Sequence, residues 1–314
     1  LVDVAQYLFI VGLPRSGTKL LRDLLKNHSK IAILANETDL YPVFRDFFTR
    51  KRGEDWFELL WQQVGESKFF IRRNNAGDPI DPAHWKSLCP SATAAGAMKG
   101  LILASIDRTG DEIILGDKSP LHITCVREIL GDFPDAKVLH IVRDGREVAL
   151  SAIQAWKKDP LRAIQQWTDA VMSAHHAGSA VPDRFLTLRF EDLKSNPTRT
   201  LEAACAFLGL EYEPGMADLK GSAEGLGRAR GKTQVMNLPD RAESLGPRQL
   251  KRMEEIFVPA SRLYGYALKT SARRERRLSA IQMQLRRVMD IPGVVRFHIR
   301  QFGWIEGTRY VLRK

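Results

Sequence analysis

Apolar and polar positions alternate along the chain between two periods. Tyr7–Val11 is an unbroken apolar run with the length and composition of a strand buried on both faces, and the pairs Leu20/Leu21 and Leu24/Leu25 behind it recur at the spacing of one helix face. Ile31–Leu34 and Glu112–Leu115 read as short strands, and Lys137–Val142 as a strand ending at Arg143, with a helix carrying Val148, Ala149 and Ala152 after it. Arg184–Phe190 reads as a further strand, and a helix over Thr198–Leu208 is stopped by Gly209. Strands separated by helices predict an α/β fold, a parallel sheet with helices on both faces. Residues 41–110 break this rhythm: Trp56, Phe57, Leu60 and Trp61 suit an amphipathic helix, Asn74–Pro82 is turn-rich, and Ser91–Asp107 reads as a helix. We read this stretch as a helical insertion lining an acceptor pocket, with Trp56, Trp61 and Trp85 either in the core or stacked on a sugar. A helix over Leu250–Leu268 closes a domain spanning residues 1–270. Over 271–314 an apolar stripe of Leu278, Ile281, Leu285, Val288 and Met289, with Arg273, Arg274, Arg276, Arg277, Arg286 and Arg287, predicts a basic amphipathic helical tail.

Candidate chemistry sits where strands end. Gly12 and Gly17 flank four residues, so the amides of Arg15, Ser16, Gly17, Thr18 and Lys19 can point at an anion on the positive end of the following helix. This spacing is P-loop-like, but the order Gly17-Thr18-Lys19 inverts the Gly-Lys-Ser/Thr of a triphosphate loop. The loop cation is Arg15 and the hydroxyls flank the second glycine, which suits an anionic nucleotide bound without a metal clamp. Arg143 and Ser151, eight residues apart, pair a planar guanidinium with a hydroxyl, a combination suited to a terminal phosphate dianion; pairing of Arg143 with Asp144 or Glu147 is the competing reading. Glu37 follows the second strand and Lys118 the third, at the carboxyl edge where open α/β sheets bind ligands. Glu37 also fits the first turn of a helix capped by Asn36.

Pro14-Arg15-Ser16-Gly17-Thr18 between strand and helix, Lys118-Ser119-Pro120 at a strand end, and Arg143…Ser151, in this order, resemble the sulfotransferases that use 3′-phosphoadenosine 5′-phosphosulfate (PAPS). The resemblance runs from about Gln6 to Leu268. It is closer to the bacterial and Golgi-type carbohydrate and tyrosine sulfotransferases than to the cytosolic phenol enzymes, whose catalytic His falls where this chain has Pro120. It implies sulfuryl transfer from PAPS to an acceptor hydroxyl, first of a glycan or glycolipid, with a peptide tyrosine or small alcohol beside it. Glu37 is then the general base, with His122 in reserve, while Arg15 and Lys118 neutralise charge on the transferring group. The Arg15–Lys19 loop holds the 5′-phosphosulfate, and Arg143 and Ser151 hold the 3′-phosphate. Arg228 or Arg230, from a Gly-rich stretch over 221–247, closes over that phosphate. No metal is required. Glu191-Asp192-Leu193, placed at a strand end, is expected to supply core. A P-loop kinase and a non-catalytic nucleotide-binding or membrane-associated scaffold are the alternatives.

The net charge is +11, and all of it lies after residue 247: Arg248–Lys314 holds 16 Lys and Arg against 5 Asp and Glu. A basic tail on a neutral body suits a peripheral contact with an anionic membrane or another polyanion, and equally a helix packed on its own domain or on a second subunit; nucleic acid is not among the expected partners. Cys89, Cys125 and Cys205 are too widely spaced for a disulfide framework or a zinc site and fit a reducing cytoplasm. No apolar run reaches the ~18 residues of a membrane span. A segment before Leu1 is left open.

Overall fold

The apolar runs become five parallel strands, β1 (Val4–Val11), β2 (Ile31–Ile33), β3 (Gly110–Lys118), β4 (Lys137–Val142) and β5 (Phe185–Arg189), in the sheet order β2-β3-β1-β4-β5. The structure, a computed structural model, describes residues 4–50, 53–107, 110–156, 158–219 and 245–312. Helices α1 (Thr18–Leu25), α2 (Tyr41–Phe47), α3 (Trp56–Val64), α4 (Lys68–Asn75), α5 (Pro82–Leu88) and α6 (Ala94–Ser105) precede β3, and a 3-10 turn (Pro120–Cys125) leads into α7 (Val126–Asp132). Then come α8 (Gly145–Trp156), α9 (Pro160–Gly178), α10 (Phe190–Ser195), α11 (Pro197–Leu208), α12 (Pro247–Tyr264) and α13 (Ala280–Leu312). The chain forms two compact units, Leu1–Val142 with Ala174–Met236, and Arg143–Ser173 with Asn237–Lys314.

The first unit contains the whole sheet. Side chains alternate across β1: Leu8 and Ile10 pack with Leu21, Leu24 and Leu25 of α1 and Leu201, Ala204 and Leu208 of α11 on one face. Phe9 turns to the other face, where its ring meets Phe133 edge-on at 4.9 Å, just past α7. Burial on both sides explains why this central strand reads as continuous apolar sequence rather than as alternation. The α11 end follows the sequence closely, because Asn196 accepts the Arg199 amide at the start and Gly209 takes the left-handed backbone (φ 79°) at the stop.

Glu191 and Asp192 follow the end of β5 in the first turn of α10, where their charge suits the helix N-terminus, and Leu193 is fully buried in the core. The stretch after residue 41 forms five helices around an aromatic cluster. Trp85 is fully buried against Phe44, Phe57 and Phe70, with Nε1 donating to the Ala97 carbonyl at 3.0 Å, while Trp61 packs on Phe70 and Trp56 on Phe48 and Phe57. Trp85 therefore belongs to the core, while Trp56 and Trp61 pack at its edge and stay partly exposed.

In the second unit, Arg146 of α8 is the buried cation. It pairs with Asp144 and Glu254 and donates to the Ala267 carbonyl at 2.9 Å, and Trp167 packs on Phe257 beside it. Leu278, expected on the apolar stripe of the tail helix, precedes α13 and is buried, its backbone held by the Gln165 amide group. Among the described residues, no helix is long and apolar enough to cross a membrane.

Candidate active site

Three neighbouring strands of the first unit deliver the candidate residues to one edge. Ile10 of β1 lies in register with Lys118, the last residue of β3, and Ile33 of β2 with Gly116, while the Leu34 amide donates to the Gly116 carbonyl at 2.9 Å. The loop after β1, the end of β3 and the segment after β2 therefore leave the sheet side by side, at its carboxyl edge.

The loop after β1 is shaped for an anion. Gly17 caps α1 with φ 100° and, having no side chain, leaves the helix start without a capping side chain of its own. A Cβ at Gly17 would sit 2.3 Å from Phe190 Cδ2, and one at Gly12 2.5 Å from the Ile141 carbonyl oxygen, so both glycines are required by close packing as well as by backbone conformation. Arg15 is exposed and has φ 81°, an unusual conformation for a residue with a side chain. Ser16 Oγ is buried without a hydrogen-bond partner, a cost of roughly 1–3 kcal/mol that a bound acceptor would relieve. A helix start behind two glycines, an orphaned hydroxyl and a loop cation fit the 5′-phosphosulfate of PAPS.

Glu37 and Lys118 meet directly. Lys118 Nζ donates to Glu37 Oε1 at 2.6 Å; the lysine is fully buried and the carboxylate 29 % exposed. No helix starts at Asn36, since α2 begins at Tyr41, so the helix-cap reading of Glu37 does not hold. Instead the segment is pinned from below. The buried Ser119 Oγ accepts the amides of Thr38 at 2.9 Å and Asp39 at 3.0 Å, and Asp39 takes φ 52°. Burial, then the nearby Glu37 charge, pushes the Asp39 carboxyl up from its ordinary range. His122, the reserve base, is fully buried: Nε2 accepts the Tyr41 amide at 3.4 Å and Nδ1 lies 3.0 Å from Asp117 Oδ2. His122 is thus enclosed by packed groups, whereas Glu37 is partly exposed.

Two residues of this edge were not singled out in the sequence. Ser119 was visible only as the middle of Lys118-Ser119-Pro120. Arg22, fully buried on α1, pairs with Asp23 at 2.6 Å and donates from Nη1 to the Ala35 carbonyl at 2.6 Å, so it ties the helix of the phosphate loop to the segment bearing Glu37. Its position beside the apolar pair Leu20/Leu21 carries no sequence signal of that contact.

Arg143 and Ser151 belong to the second unit. Arg143 precedes α8 and donates to Glu147 Oε2 at 3.5 Å, the pairing weighed against a phosphate role, and Ser151 lies buried in the second turn of α8. A guanidinium held on a partly buried carboxylate is preoriented. Arg228 and Arg230 lie outside the described residues.

A family model described as the sulfotransferase family matches residues 7–214, which takes in the loop, Glu37, Lys118, Arg143 and Ser151. Protein-tyrosine sulfotransferase 1 of Danio rerio is 23 % identical over 278 residues, which cover 82 % of this chain and 72 % of that protein. Protein-tyrosine sulfotransferase 2 of Gallus gallus is 25 % identical over 214 residues, 65 % of this chain and 51 % of that protein, so the chain spans about half the length of this relative. The sulfotransferase domain of the Synechococcus PCC 7002 olefin synthase superposes with a TM-score of 0.53 at 20 % identity, covering 92 % of this chain and 96 % of that domain, which shows a common fold. On the family match, with the phosphate loop and the strand-end lysine in place, the chain belongs to the sulfotransferase family and is a PAPS-dependent sulfotransferase.

Proposed function

We propose that the acceptor is a phenolic hydroxyl, that of a peptide tyrosine, and that Glu37 takes its proton. The observation that carries this reading is the 2.6 Å pair of Glu37 with the buried Lys118. When bound, PAPS supplies the sulfuryl group, and the chain's own residues do the rest. The Arg15–Lys19 loop orients the 5′ end through amides and hydroxyls. Lys118 and Arg15 neutralise charge as it accumulates on the transferring group and the leaving oxygen, an electrostatic task that needs fixed cations rather than mobile water. Arg143 and Ser151 take the 3′-phosphate. Glu37, partly exposed and oriented by Lys118, receives the acceptor proton.

A carboxylate is a weak base, so the acidity of the acceptor matters. A phenol with pKa about 10 is far closer to it than an aliphatic sugar hydroxyl. The names of the two curated relatives support the same acceptor. A glycan or glycolipid hydroxyl keeps the carboxylate base and Lys118-Ser119-Pro120 in its favour but loses Trp85 as a stacking surface, since that ring lies in the core. Acceptor specificity would then come from the α2–α6 segment. Three widely spaced thiols, two of them buried, support a reducing compartment such as the cytoplasm.

Incubation with labelled PAPS and either a tyrosine peptide or an oligosaccharide panel tests the acceptor. Label on the tyrosine peptide, lost in Glu37→Gln, is the expected result; label on the oligosaccharide alone overturns it. Calorimetry with adenosine 3′,5′-bisphosphate, 5′-AMP and ATP–magnesium tests the donor residues separately. Tight bisphosphate binding that is lost in Arg143→Ala is expected, whereas preference for ATP–magnesium would promote the kinase reading. Intact binding without transfer to any acceptor would promote the scaffold.

A further inference from the structure

Within the second unit, α13 is fastened along one side by charge and hydrogen bonds. Just before the helix, Arg277 pairs with Asp169, and the Leu278 amide donates to Gln165 Oε1 at 2.6 Å. On the helix, Arg286 Nη1 lies 2.5 Å from Asp159 Oδ2, and the buried Asp290 accepts the Asp159 amide at 2.6 Å and Arg162 Nη1 at 2.5 Å. Positions 286 and 290 therefore face inward. Helical spacing puts Ile281, Leu285, Val288 and Met289 on the opposite side, where they are 74 %, 61 %, 54 % and 74 % exposed. A row of aliphatic side chains at this exposure, one turn after another, is unusual on a soluble surface.

The surroundings indicate what covers the row. Residues 273–296 contain seven Arg against two acidic residues, and Arg273, Arg274, Arg276, Arg287 and Arg296 are exposed. A second copy of the chain would bring two surfaces of the same sign together, and four aliphatic side chains expose less than the ~800 Å² per partner that a stable interface buries. An anionic lipid surface satisfies both features, because its headgroups complement the arginines and its acyl boundary accepts the apolar row. We propose that the Ile281–Leu285–Val288–Met289 face of α13 docks peripherally on an anionic bilayer. This docking is independent of the acceptor reading, since none of these residues belongs to the catalytic machinery.

Co-sedimentation of the full chain with vesicles of phosphatidylcholine, with and without about 30 % phosphatidylglycerol, tests it. Binding to the anionic vesicles only, reversed by high salt, is the expected result. Leu285→Asp with Met289→Asp should lower the partition at least roughly tenfold. Arg273→Glu with Arg274→Glu should do the same, and both variants should keep the wild-type circular dichroism and bisphosphate affinity. Equal pelleting with neutral vesicles, no pelleting with anionic ones, or indifference to both pairs of substitutions overturns the proposal. So does a dimer in light scattering that the Asp substitutions break while vesicle binding is absent.

Discussion

Glu37 Oε1 and Lys118 Nζ stand 2.6 Å apart although 81 residues separate them in sequence, one on the segment after β2 and the other closing β3. Because β3 lies between β1 and β2, its last residue sits between the phosphate loop and the carboxylate. One ammonium can thus orient the base and face the leaving group. Glu37→Gln is expected to lower kcat by about 10²–10⁴-fold with bisphosphate affinity nearly unchanged. Lys118→Met is expected to lower both, because it removes a charge that serves donor and base together. Steady-state kinetics paired with calorimetry would show this, and a Glu37→Gln enzyme of full rate would remove Glu37 as the base.

Ser119 acts one step back from the chemistry. Its hydroxyl holds two consecutive amides, and Ser119→Ala leaves both without that acceptor, at roughly 1–3 kcal/mol for each group that stays buried and unpaired. Thermal stability should fall. The more telling readout is kinetic: kcat should drop while the KM for PAPS stays, since the loop after β1 is not touched by Ser119. Ser119→Thr, which restores the oxygen, should recover part of kcat. A fall in stability with unchanged kcat would make Ser119 a structural residue only.

Gly17 is constrained twice, by φ 100° and by the Phe190 ring, which a new Cβ would meet at 2.3 Å. Gly17→Ala should weaken bisphosphate binding by at least roughly tenfold, since left-handed backbone costs about 1–2 kcal/mol for an L side chain before any clash is added. Adding Phe190→Ala removes the clash and leaves the backbone cost. Titration of the double variant should therefore show incomplete recovery, and full recovery would mean that sterics alone set this position.

What the sequence disclosed follows from how local each cause is. The strand β1 and the loop after it were legible because a continuous apolar run, two glycines and a helix face lie within some twenty residues. Lys118 was legible for the same reason, as a cation ending a strand. The role of Ser119 and the contact from Arg22 to Ala35 were not, because each joins segments that become neighbours only when β2, β3 and β1 pair. The tryptophans stayed open between core and binding wall for a related reason. An aromatic at helical spacing looks the same on a binding wall and in a core, and only the packing of α2–α6 decides between them. The tail stripe divided at Leu278, where a hydrogen-bonded glutamine turned one member inward and left the remainder outside.

His140 gives the fold a pH dependence of known sign. It is fully buried on β4, with Nδ1 3.2 Å from Thr187 Oγ1 and its ring stacked on Phe185, and burial, helped by His175, pushes its pKa down to about 3. In the unfolded chain it titrates near 6.5, so between pH 6.5 and 3 the unfolded state binds a proton that the folded state refuses. Stability carried by the neutral ring is complete above pH 6.5 and declines as pH falls, by roughly 2 kcal/mol at pH 5. His140→Asn cannot take up that proton in either state. Its absolute stability should be lower, because the aromatic contact is lost, but its stability should change less between pH 7 and 5 by about that amount. Urea unfolding of both proteins at the two pH values measures the difference, and parallel pH dependences would show that His140 is protonated as readily in the folded chain as in the unfolded one.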